Sequence, residues 1–351
     1  MKLLPLPLIL TSSALSLSLH ARQPDVGTWS TLAPIPLFPR QEHSTVVLNS
    51  SCFAIIGGVI PTATETGRAV TNTTSLVQLY NIPSNTWTTL APLPVALNHP
   101  NAASIDGKIY VLGGLEVAAN GAWQGTPQSW VYDPASNTWS ALEPMPASEA
   151  RGSAAVGVYN KLIVLAGGMS VLEPVAGGKQ ETVDTVSAFD TVSGKWVTTL
   201  PETAKRMPER RDHAGAAVVD TRLYVLGGRD HGQENVKGSV LALSLGRLDI
   251  GWRTMKGAMP TPRGGVASAK LGRKVYVFGG EGNPVEGSKG VFNQVEVFDA
   301  AKDTWEVLAP MKVPRHGTYA VAVEGKIFVP GGGVSQGAGP VDLLDVFAAP
   351  L

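Results

Sequence analysis

A Gly-Gly pair follows a short apolar run six times along this chain: Gly57-Gly58, Gly113-Gly114, Gly167-Gly168, Gly227-Gly228, Gly279-Gly280 and Gly331-Gly332. Successive pairs stand 52 to 60 residues apart, and self-similarity at a fixed period restricts a chain to repeat architectures. The run before each pair is continuous rather than alternating, as in Ile109-Tyr110-Val111-Leu112 and Leu223-Tyr224-Val225-Leu226. Continuous apolar runs bounded by glycine mark strands buried on both faces. A tryptophan keeps step with the glycines: Trp29, Trp87, Trp139, Trp196, Trp252 and Trp305. Similar turns precede three of them, as in Pro83-Ser84-Asn85-Thr86 before Trp87. Just upstream lies a short strand with an aromatic residue, as in Trp130-Val131-Tyr132-Asp133; one period departs, with Val240-Leu241-Ala242-Leu243.

Each period therefore holds four strands: a small-residue strand such as Ala102-Ala103-Ser104-Ile105, expected to face outward, the strand ending in Gly-Gly, the aromatic strand and the Trp strand. A single four-stranded sheet cannot bury both faces, whereas sheets packed radially can. The first tryptophan precedes the first Gly-Gly, and no tryptophan follows the last. The last period thus lacks its fourth strand, and residues 27–33 are expected to supply it. The expected fold is all-β: a six-bladed propeller with four antiparallel strands per blade, closed by the N-terminal strand.

The Gly-Gly, aromatic and Trp pattern over residues 27–347 resembles the kelch-repeat family, within the galactose oxidase-like kelch superfamily. That resemblance implies the propeller but not one function, because kelch propellers include protein-binding modules, a sialic acid mutarotase and a copper-radical oxidase. The oxidase chemistry needs a Tyr–Cys cross-link, and the single cysteine, Cys52, lies inside an apolar strand, so the copper-radical site is not expected. The acidic and histidine spacing of iron-binding kelch specifier proteins is absent too.

Residues 1–21 read as a secretory signal, with Lys2, an apolar run from Leu3 to Leu10 and a small residue at Ala21. Residues 22–351 form the single propeller domain. Without the leader, 27 basic residues face 28 acidic ones, which offers no basic stripe for nucleic acid or an anionic membrane. A lone thiol makes no internal disulfide. Asn49-Ser50-Ser51 and Asn72-Thr73-Thr74 are glycosylation sequons that fit a secreted monomer.

Aligning each period backwards from its first glycine exposes two columns. Sixteen positions upstream stand Gln41, Leu97, Arg151, Arg211, Arg263 and Arg315, with Arg40 one residue before its column. Fourteen upstream stand His43, His99, Ser153, His213, Gly265 and Gly317, with His316 beside the last. One reading is a channel mouth lined by guanidinium and imidazole groups that bind carboxylates and move protons. The other is that these residues bond the repeat to itself. The loops after Gly-Gly add Arg229, Asp230, His231 and Glu281. A metal is not expected, because His43, His99 and His213 lie in separate periods with no tight spacing. No Gly-x-Ser-x-Gly or reactive cysteine signals nucleophilic catalysis, and no cofactor is implied. The function expected is binding of a protein, a glycan, a peptide or a small anionic ligand by the loop face. The alternative is a cofactor-free isomerase or lyase acting on a small acidic metabolite or sugar.

Overall fold

The computed structural model describes residues 26–62, 70–175 and 177–350. The expected leader lies outside the described residues. Strands dominate, and helix is confined among the described residues to two short 3-10 turns, Ala147–Glu149 and Leu248–Ile250. No helix there is long and apolar enough to cross a membrane.

Among the described residues six four-stranded antiparallel sheets follow one another along the chain, apart from a seventh formed by loops; the first comprises Ser44–Asn49, Cys52–Ile56, Val77–Asn81 and Thr86–Thr89. In the last sheet, Thr28–Thr31 pairs with Leu344–Ala348, setting Trp29 opposite Phe347. One sheet therefore draws strands from both ends of the described chain. The first strands of the six sheets touch one another in turn, and Val321–Val323 returns to Ser44–Asn49. The molecule is a β-propeller built on kelch-type repeats.

The small-residue strands were expected to face outward. They are instead the innermost ones, and the reason is space. Strands converging on one axis leave room only for side chains such as Ala102, Ala103 and Ser104, or Gly215, Ala216 and Ala217. The Trp strand is outermost. Each indole Nε1–H donates to a carbonyl of the preceding sheet: Trp87 to Ala33 at 3.0 Å, Trp139 to Ala91 at 2.9 Å and Trp305 to Gly257 at 2.9 Å. Trp29 closes the series on Ala309 at 3.0 Å. Between sheets lie apolar clusters such as Phe53, Tyr80, Val321 and Phe328.

The Gly-Gly pairs stitch neighbouring sheets. The second glycine's N–H donates to the carbonyl of the next sheet's column residue: Gly58 to Leu97 at 2.7 Å, Gly168 to Arg211 at 2.7 Å, and Gly332 round to Arg40 at 2.8 Å. At Gly279 the approach is tightest. Its φ is +56°, and a Cβ there would stand 2.1 Å from the Arg315 carbonyl oxygen, so no other residue fits.

Candidate functional site

On entering each first strand the chain crosses the channel, and one residue per sheet adopts a left-handed φ. These are Glu42 at 52°, His99 at 50°, Ser153 at 55°, His213 at 53°, Gly265 at 61° and Gly317 at 59°. Their backbones link round the axis, with the N–H of His99 on Glu42 O (2.8 Å), Ser153 on His99 O (3.0 Å), Gly265 on His213 O (2.9 Å) and Gly317 on Gly265 O (3.0 Å). Glu42 N–H completes the ring on Gly317 O at 2.6 Å, and His213 N–H takes Ser153 Oγ at 3.1 Å. Glycine adopts this conformation freely, whereas other residues store about 1 kcal/mol or more of strain there. Such strain in four of six positions marks a place where side chains are wanted at the axis.

Those side chains meet. His99 Nε2 lies 2.9 Å from Glu42 Oε2 and 2.9 Å from His213 Nε2. His213 Nδ1 is 2.6 Å from Asp212 Oδ1, which also accepts from Arg229 Nε at 3.0 Å. Arg229 Nη1 donates a short hydrogen bond to Glu281 Oε1. His316 Nδ1 lies 3.4 Å from Glu281 Oε2 and 3.7 Å from Glu42 Oε1. All seven residues are buried. Burial alone would raise the Glu42 carboxyl, but the charges of His99, His213 and His316 and the His99 hydrogen bond hold it below the usual carboxylate range. Asp212 and Glu281 are likewise held low against their burial, Asp212 mainly by the His213 hydrogen bond and Arg229, Glu281 mainly by His316 and Arg229. Burial pushes His99 down, only partly offset by Glu42, which favours a neutral imidazole.

The arginine column does something else. Arg40, Arg151, Arg211, Arg263 and Arg315 are each at most 1% exposed and turn back over their own sheets. Each donates to the carbonyl of the first glycine of its pair: Arg40 to Gly57 (3.0 Å), Arg151 to Gly167 (2.7 Å), Arg211 to Gly227 (2.6 Å), Arg263 to Gly279 (2.6 Å) and Arg315 to Gly331 (2.8 Å). Arg263 also pairs with Glu296 at 2.6 Å and Arg315 with Asp345 at 2.8 Å. Of the two readings open in the sequence, the repeat-internal one therefore holds for these five residues. Burial pushes the Arg151 guanidinium down to about 10. His43 is also withdrawn from the channel and packs against Gly331 and Gly58. Asp230 does not line the cavity; its carboxylate makes a short hydrogen bond with His231 Nδ1.

Of the residues singled out in the sequence, His99, His213, Arg229, Glu281 and His316 come together. Glu42 and Asp212 complete the cluster and were missed. The first hairpin carries a β-bulge between Val47 and Asn49, so one extra residue shifts its column and puts Glu42, not His43, on the ring. The available signal was the glycines: Gly265 and Gly317 mark a position of positive φ. The separation that argued against convergence of histidines fails as well, because sheets apart in sequence meet at the axis.

Above the cluster opens a cavity of about 620 Å³, with Glu42, His99, His213, Arg229 and Glu281 on its floor. A small sheet formed by loops of neighbouring repeats, Leu115–Val117, Trp123–Gly125, Met169–Leu172 and Gln180–Thr182, builds one wall. The Trp123 ring lies tilted at 51° against His99, with ring centroids 5.5 Å apart.

Residues 96–146 match the Kelch motif, and residues 174–333 match the KLHDC2/KLHL20/DRC7 Kelch-repeats domain. The chain is 40% identical over 329 residues to Kelch-like protein terF of Aspergillus terreus, covering 93% of this chain and 69% of that protein. It is 27% identical to Kelch-like protein 38 of Rattus norvegicus over 260 residues, and 25% identical to Beta-scruin of Limulus polyphemus over 307 residues. Those two matches cover 74% and 85% of this chain but only 40% and 31% of the relatives. The repeats, their stitching and the likeness to terF along nearly the whole chain agree: the chain belongs to the kelch-repeat family.

Proposed function

We propose that the chain binds a small, neutral, hydroxyl- or carbonyl-bearing molecule in the funnel and moves a proton on it, as an isomerase or lyase does. The observation that carries this reading is the buried set of Glu42, His99, His213 and Glu281 forming the floor of a cavity large enough for a sugar-sized ligand. Among the described residues Arg229 is the only arginine or lysine lining that cavity, and Asp212 and Glu281 already occupy it. Four glutamates among the described residues line the same space, Glu42, Glu173, Glu234 and Glu281. A free anion is therefore a poorer fit than a neutral polar molecule. Glu281, held below the usual carboxylate range against its burial, supplies a proton acceptor facing the ligand.

A second reading is a macromolecular partner held by the loop face. It is favoured by exposed Val175 and Val285, each 66% accessible, on loops that follow Gly-Gly pairs. Secretion belongs to the proposal too, and the exposure of both sequon asparagines, Asn49 and Asn72, supports it. The test is a thermal-shift screen of purified protein against neutral sugars, polyols, hydroxyketones and their acidic counterparts. A shift from a neutral hydroxylated compound that is lost in Glu281→Gln supports the reading. A shift confined to acidic compounds, or surviving in Glu281→Gln, overturns it.

A further inference from the structure

We propose that Glu42, His99 and His213 form a site for a divalent transition-metal ion, of the class of Zn2+, at the floor of the funnel. This deepens the small-molecule reading of the same site and rests on it for the metal's use. The three ligand atoms, Glu42 Oε2, His99 Nε2 and His213 Nε2, lie within 4.8 Å of one another. Their separations are 2.9, 2.9 and 3.7 Å. Donors about 2.0–2.1 Å from a tetrahedral zinc stand roughly 3.3 Å apart, so shifts of about half an ångström or less seat the ion.

The neighbours determine what these atoms offer. His213 Nδ1 faces the Asp212 carboxylate at 2.6 Å, which can only accept, so Nδ1 carries the proton and Nε2 presents a lone pair. His99 Nδ1 faces Asn98 Oδ1 at 2.7 Å, which fixes the same tautomer. Two imidazole lone pairs and a carboxylate oxygen thus converge with only acceptors among the three, while Arg229 Nη2 stands 3.3 Å from His213 Nε2 as a neighbouring donor that the ion would displace. Outer carboxylate and carboxamide groups that orient ligating histidines are the usual support of a metal site. His316 repeats the pattern: its Nε2 lies 2.9 Å from Ser335 O, leaving a fully buried Nδ1 without a hydrogen-bond partner beside Glu42 and Glu281.

Charge balance points the same way. Three buried carboxylates, Glu42, Asp212 and Glu281, stand here against one guanidinium, Arg229, an excess of acidic groups that a divalent ion would offset. Two imidazoles and one carboxylate suit Zn2+, Co2+ or Fe2+ better than Mg2+ or Ca2+. All three ligands also line the cavity, so a further coordination position faces the space where a substrate oxygen would sit.

The experiment uses the purified chain, stripped with a chelator and titrated with Zn2+ or Co2+. Metal content, the visible absorption of bound Co2+ and the thermal midpoint are read together. We expect one equivalent bound, a nitrogen-ligated Co2+ spectrum, and a midpoint raised by about 4 °C at a hundredfold excess over Kd. All three are expected to vanish in His99→Ala and His213→Ala and persist in Cys52→Ala. Wild-type protein that binds no metal overturns the proposal, with no variant needed. So does a metal signal that survives in the His99→Ala/His213→Ala double variant. Repeating the small-molecule screen on stripped and Zn2+-loaded protein separates the two claims. Metal binding without any small-molecule shift refutes the functional reading alone, and a small-molecule shift in protein that binds no metal refutes the metal site alone.

Discussion

Replacing Arg263 with methionine tests the arginine column most sharply. The guanidinium donates to Gly279 O at 2.6 Å, Thr261 O at 2.7 Å and Glu296 Oε2 at 2.6 Å, and neither Arg263 nor Glu296 is more than 1% exposed. Methionine fills much of the volume but leaves a buried carboxylate with one neutral donor, Thr261 Oγ1 at 2.7 Å. Breaking a buried pair from one side costs about 3–5 kcal/mol, because the surviving charge stays desolvated. Removing both charges in Arg263→Met/Glu296→Leu should recover most of that. It leaves a deficit of about 1–2 kcal/mol for the orphaned carbonyls. The assay is urea denaturation followed by tryptophan fluorescence, comparing midpoints at constant m. The account fails here if the single variant lies within about 1 kcal/mol of wild type, or if the double is no more stable than the single.

Other consequences are as direct. Gly279→Ala should lower stability by more than about 3 kcal/mol, since its Cβ meets the Arg315 carbonyl, whereas Gly287→Ala, with φ +80° but open space, should cost only about 1 kcal/mol; paired thermal melts compare them. Trp29→Ala removes the indole held by Ala309 and packed on Phe347, and should cost about 3 kcal/mol in the same assay. Burial, with the Arg40 charge, lowers the His43 pKa from 6.5 to about 3. The unfolded chain then binds more protons between those values, so this histidine's contribution is full above pH 6.5 and falls as pH drops toward 3. The slope is at most about 1.4 kcal/mol per pH unit and should flatten in His43→Gln, as read from acid denaturation curves. In a eukaryotic secretory host, Asn49→Gln and Asn72→Gln should each lower the mass by one glycan, and an unchanged mass refutes occupancy at that position.

The sequence made the repeat legible because its strongest constraints are local and steric. The first glycine of each pair sits where a Cβ would strike the next sheet, the second where it would strike the segment entering its own sheet, and each repeat tryptophan sits where an indole reaches back to the previous sheet. Direction was not legible. A column of arginines gives a radial position, but whether the side chain points to the axis or folds over its own sheet depends on carbonyls and on partners such as Glu296 and Asp345, set 33 and 30 residues downstream. Small residues in the first strand similarly fit an outer or an inner strand until the packing geometry is known. The site itself was half legible. His99, His213, Arg229, Glu281 and His316 stood out by residue type, while Glu42 was hidden by a one-residue bulge and Asp212 by its place between an arginine and a histidine already chosen. Convergence across the axis is a property of the closed ring and has no trace in linear spacing.

The central claim is that ligand recognition lies on the funnel floor and that the arginine column only holds the repeats together. Isothermal titration of the strongest compound from the neutral-molecule screen into wild-type, Glu281→Gln and Arg151→Met proteins, each shown to be folded, tests it most directly. A Kd about tenfold weaker is expected in Glu281→Gln, a loss of roughly 1.4 kcal/mol, with an unchanged Kd in Arg151→Met. Binding that survives in Glu281→Gln but weakens in Arg151→Met would contradict it and return the arginines to the ligand.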